Sequence, residues 1–80
     1  MITDRYASEL VDLARSGLPL AQALVRFEQI FDAYMIEASG SFAEKRKALL
    51  DAFRAKAPET PLAWPIIDKL GGLPEQADEA

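Results

Sequence analysis

Three groups of side chains sit at spacings that chemistry can use. Glu28 and Asp32 are four residues apart, so a helix places both carboxylates on one side. Such a pair can do acid–base work when burial raises the pKa of one partner. Ser41 and Lys45 repeat that spacing, which a Ser–Lys nucleophile can use. Lys45, Arg46 and Lys47 stand together in "SGSFAEKRKALL", and converging cations are how a protein holds phosphates. Each group also has a plainer reading. The carboxylates read as a solvated helix face, open to a basic partner. Ser41 reads as a helix cap. The cations read as solvated surface, or as a complement to acidic neighbours.

Composition narrows the chemistry. The chain has 80 residues, a net charge of −4, no Cys and no His. Disulfides, thiolates, the usual zinc ligands and His-based triads are thereby excluded. No glycine-rich phosphate loop is present, and Gly71-Gly72 reads as a helix ending. No cofactor, metal or catalytic residue is expected. No apolar run approaches the ~18 residues of a membrane span. "MITDRYASEL" lacks a basic region followed by an apolar one, so it does not read as a secretory signal. The expected location is the cytoplasm.

Half of the residues are apolar, enough for one modest core. The pattern predicts an all-α fold: a small bundle of three main helices plus a short C-terminal helix after a Pro-rich connector. Residues 1–73 are expected to form one domain, and 74–80 an acidic frayed tail. The first helix is expected from Asp4 to Arg15, capped by Thr3, with Tyr6, Leu10 and Leu13 at helical spacing. Gly17 suits the left-handed turn after it, with Leu18 packing back on Leu13. Pro19 suits the first position of a second helix running to Ala38. Leu20, Leu24, Phe27, Phe31, Tyr34 and Ala38 form its apolar stripe, and it is expected to be the central core helix. Ser41 and Glu44 have the spacing of a capping box. They open a third helix, 42–57, with Phe42, Leu49, Leu50, Phe53 and Ala57 inward. Pro58, Pro61 and Pro65 predict an extended connector that carries Leu62 and Trp64 into the core. Pro65 then opens the short fourth helix.

Two surfaces follow from helical projection. Helix 42–57 holds five cations against two anions, net +3, and the remainder holds four against eleven, net −7. Lys47 and Arg54 project outward; Lys45, Arg46 and Lys56 lie beside the apolar stripe and must snorkel. On the second helix, Val25 and Ile36 project roughly 160–180° from Phe27 at about 100° per residue. Glu28, Gln29 and Asp32 lie around them. Either the connector or the fourth helix covers these two β-branched residues, or they mark a partner or dimer surface.

Residues 26–44, "RFEQIFDAYMIEASGSFAE", resemble the opening of a Fis-type helix-turn-helix domain. "PLAWPIIDKLG" stands loosely where that family has its recognition helix. The departures are a second helix about twice the family's length, "APETPLAW" in place of the tight turn, and Lys69 as the lone cation of the fourth helix. An extended turn and an acidic surface also resemble variant helix-turn-helix proteins among bacterial transfer regulators. Some of those act as antiactivators that bind an activator in place of DNA. The combined expectation is a non-enzymatic interaction module, a small acidic regulator binding a transcription factor through Val25, Glu28, Gln29, Asp32 and Ile36. A homodimer is a second possible assembly for so small a core. The alternative is a DNA-binding protein that uses Lys45, Lys47 and Arg54.

Overall fold

A computed structural model describes residues 2–57 and 59–71. Among these residues there are four helices and no strand: α1 (Ile2–Ala14), α2 (Leu20–Glu37), α3 (Phe42–Lys56) and α4 (Ala63–Gly71). They form the expected small all-α bundle, with a radius of gyration of 11.9 Å. No described helix is long and apolar enough to cross a membrane. Pro58 and the expected tail, 74–80, lie outside the described residues.

The hub of the bundle is α1, which packs against α2, α3 and α4. The sequence pattern assigned that place to α2. The reason lies in how the apolar residues are distributed. α1 buries two adjacent rows, Tyr6–Leu10–Leu13 and Ala7–Val11–Ala14, which together make a face wide enough for three neighbours. Ala7 and Ala14 also let other backbones approach closely. α2 is longer and richer in apolar residues, but part of that excess faces outward. Its buried set is Ala23, Phe27, Ile30, Phe31 and Tyr34. Leu20, assigned to its stripe, is 51% exposed at the helix start. α3 contributes Leu49 and Phe53, and α4 contributes Ala63, Ile66 and Leu70.

The helix boundaries follow local chemistry, with three corrections. α1 begins at Ile2, so Thr3 is not its cap; its hydroxyl instead meets the Tyr34 hydroxyl at 3.3 Å. Gly17 does take the left-handed region, φ 75°. The turn is closed by Ser16, whose Oγ donates to the Leu13 carbonyl at 2.7 Å and accepts from the Leu18 amide at 3.2 Å. The Ser16 side chain thus adds to the left-handed Gly17 that was expected there. Pro19 is the cap of α2, with extended ψ 147°, and not its first helical residue.

The third correction matters most. Thr60–Ala63 form a turn, the Ala63 amide donating to the Thr60 carbonyl at 3.1 Å. Pro61 occupies the second position, where its fixed φ is favoured. The chain at 59–62 is therefore bent, not extended. α4 starts at Ala63, two residues before the expected start, with Pro65 still inside the first turn. Amides there have no helical acceptor, so the proline costs no hydrogen bond. This start sends Ala63, Ile66 and Leu70 inward and turns Trp64 outward, 69% exposed. The expectation that Trp64 fills the core is wrong.

The α2–α3 corner is as expected. The Ser41 Oγ accepts from the Glu44 amide at 3.1 Å, and the Glu44 carboxylate accepts from the Ser41 amide at 2.9 Å. Gly40 before it has φ 113°, a conformation that side chains rarely tolerate.

Candidate functional site

The α2 surface is built from the residues upward. Val25 is 58% exposed and Ile36 is 84% exposed. Neither the connector nor α4 covers them. Glu28, Gln29 and Asp32, between them, are exposed as well. Eleven residues along a helix advance it by about 16 Å and return to nearly the same bearing. The result is a strip with an apolar residue at each end and two carboxylates between. Gln29 is held by Arg26, whose Nη1 donates to its Oε1 at 3.2 Å. Glu28 and Asp32 both stand exposed on the open face of the helix.

The cations of α3 separate by destination. Lys45 is half-buried, and its ammonium donates to the carbonyls of Met35, at 2.8 Å, and Ala38, at 3.5 Å. These carbonyls close the C-terminal end of α2, the negative end of its dipole. Arg46 does the same for α4, donating to the carbonyls of Leu70 at 3.2 Å and Gly71 at 3.1 Å. Lys47 pairs with Asp51 on its own helix at 2.9 Å, in the open. Arg54 and Lys56 are exposed. The cluster is thus divided between two helix ends and a solvated face. Of the nucleic-acid candidates, Lys45 is turned inward, Lys47 is paired, and Arg54 stands on the surface.

Ser41 and Lys45 are not brought together as a nucleophile and base. The Ser41 hydroxyl is occupied by the cap, and the Lys45 ammonium by α2 carbonyls. The carbonyl ends of helices attract other side chains too. The Thr60 hydroxyl donates to the Ala14 carbonyl at the end of α1, at 2.7 Å. Three helix ends are therefore tied by side chains from distant segments.

Two polar clusters were not singled out in the sequence. The buried Tyr34 ring sits edge-on to Tyr6, centroids 5.6 Å apart. Its hydroxyl donates to the Lys45 carbonyl at 2.9 Å and meets Thr3, joining α1, α2 and α3. Beside it, the Arg5 guanidinium lies over the Tyr6 ring at 4.7 Å and bridges to Glu37 at 3.1 Å. The Tyr6 hydroxyl donates to the Glu37 carboxylate. That bond, then burial, raises the Tyr6 phenol above its ordinary value. The group ties α1 to the last turn of α2. No local sequence signal marks it, because its members are 31 residues apart.

The misassigned Trp64 reveals a second surface. It lines an open cleft of about 810 Å³ between α3, the 59–62 turn and α4, with Arg54, Ala57, Glu59, Pro61 and Ile67. On the other side of α4, Leu20, Leu24, Pro65, Asp68 and Lys69 line a smaller one. Among the described residues no group of three or more His, Cys, Asp or Glu is placed to hold a metal ion. Compared with known proteins, the chain matches no family model, no curated protein and no solved structure.

Proposed function

We propose that this chain is a non-enzymatic interaction module, an acidic regulator that binds a protein partner through the outer face of α2. The observation that carries this reading is the exposure of Val25 and Ile36 at the two ends of a strip bearing Glu28 and Asp32. A large aliphatic left almost wholly in water gains on being covered. The two carboxylates select a partner with basic groups at matching positions, by charge complementarity. The DNA-binding surface of a transcription activator has that chemistry, apolar helix positions among Lys and Arg. Covering it would keep the activator from DNA, which is the action of an antiactivator, exerted inside the cell. The resemblance to extended-turn helix-turn-helix regulators supports the same reading.

The test is the double variant Val25→Asp with Ile36→Asp. Both positions are solvated, so helical content and melting temperature are expected to stay nearly unchanged. The partner that the wild-type chain captures from the native host is expected to be lost by the double variant. A double variant that folds and still captures the same partner removes the α2 strip from the reading. Retention of duplex DNA by the wild-type chain, lost in Lys47→Glu with Arg54→Glu, replaces the reading with the DNA-binding one. A steep salt dependence would accompany that result.

A further inference from the structure

The surface around α4 differs from the α2 strip in one respect that identifies its occupant. At its centre stands Trp64, exposed although it is the chain's single Trp. Ile67 and Pro65 flank it, and a cleft lies on each side of the helix. Among the described residues each cleft carries one cation and one anion: Arg54 with Glu59 in the larger, Lys69 with Asp68 in the smaller. The apolar patch is therefore bordered by charges that sum to zero on both sides.

We propose that this face pairs with the same face of a second copy, forming a two-fold dimer centred on Trp64. In a two-fold contact each residue meets a patch identical to its own surroundings, so any excess charge faces itself. A neutral border can pair each cation with the other copy's anion. The α2 strip carries Glu28 and Asp32 against Arg26 as its one cation between Val25 and Ile36, so an excess of negative charge would face its own copy. A lone-sign partner, acidic or basic, would leave two of these four bordering charges against like charge. A large aromatic at the centre, a cleft beside it to receive the opposite ring, and a charged rim make the usual anatomy of an interface. The inference is independent of the α2 reading. The strip runs along a different helix and stays open in the dimer.

Sedimentation of the full chain from about 1 μM to about 1 mM reads the association directly, across affinities of ordinary dimers. A monomer–dimer equilibrium is expected. Trp64 fluorescence, which has no other Trp to obscure it, is expected to shift to shorter wavelength over the same range. Trp64→Ala should keep its helical content and weaken dimerisation at least about tenfold, as loss of a central anchor does. Arg54→Glu should weaken it too, and Arg54→Glu with Glu59→Arg should restore it, since the pair is exchanged as a unit. A chain that stays monomeric throughout, with the emission of a solvated Trp at the highest concentration, overturns the proposal. So does a dimer that Trp64→Ala leaves intact, or one abolished by Val25→Asp with Ile36→Asp.

Discussion

The outer faces of α2 and α4 both expose large apolar side chains, yet only the first was visible by helical projection. α2 spans Leu20–Glu37, five turns. Its buried stripe is long enough that moving either end by one residue does not change which side Val25 and Ile36 occupy. α4 is nine residues, Ala63–Gly71. With only Ala63, Ile66 and Leu70 to define its inner side, the choice of start decides the fate of Trp64. Three prolines around it favoured an extended connector. What prevailed was the Thr60–Ala63 turn, which tolerates Pro61, and a first helical turn, which tolerates Pro65. Long helices therefore report their faces from periodicity, whereas short ones inherit theirs from the turn that starts them.

The largest effect that sharpens this comparison contrasts an inward with an outward aromatic. Phe27, fully buried on α2, should lose about 3–5 kcal/mol on Phe27→Ala. Trp64→Ala should change the stability of the monomer by no more than about 0.5 kcal/mol. Urea unfolding at low protein concentration measures both. Comparable losses would mean that α4 starts elsewhere and that Trp64 is packed.

The next effect isolates the corner that positions α3. Ser41→Ala should cost about 0.5–2 kcal/mol. The amide of Ser41, then its side chain, holds the Glu44 carboxyl below its ordinary value of 4.5. A carboxyl lowered on folding contributes stability that is present above 4.5 and is lost as pH falls through the folded value. Acid titration of the melting temperature should show that loss, and Glu44→Gln should flatten it. An unchanged acid profile in Glu44→Gln would remove the cap as its source.

The smallest effect separates the inner cations of α3 from the outer ones. Lys45→Met should cost about 0.3–1 kcal/mol, because it uncovers the carbonyl end of α2. Lys47→Met should cost less than about 0.5 kcal/mol, since its pair with Asp51 is solvated. Equal effects would show that Lys45 does not act on the helix end.

Much of the architecture was legible locally. The helix order, the Ser41–Glu44 cap and the left-handed Gly17 depend on residues within one or two turns of each other. The exposure of the α2 strip was one of two open readings, and the absence of any described element over it decided between them. The projection also separated Lys45 and Arg46 from the outward cations. It did not reveal what they hold, because the acceptors belong to α2 and α4. Among the described residues, the acceptors found for both are backbone carbonyls.

The amino-acid sequence by itself determined that this chain folds as helices, where three of them begin and end to within two residues, and which side of α2 is polar. Those properties follow from backbone propensity, capping bonds and a period of 3.6 residues, all local in range. Tertiary structure alone decided that α1 is the hub and that Lys45 and Arg46 close the carbonyl ends of α2 and α4. These depend on which carbonyls and apolar faces meet when helices dock. Docking joins groups such as Tyr6 and Glu37, or Thr60 and Ala14, whose positions along the chain carry no trace of the encounter.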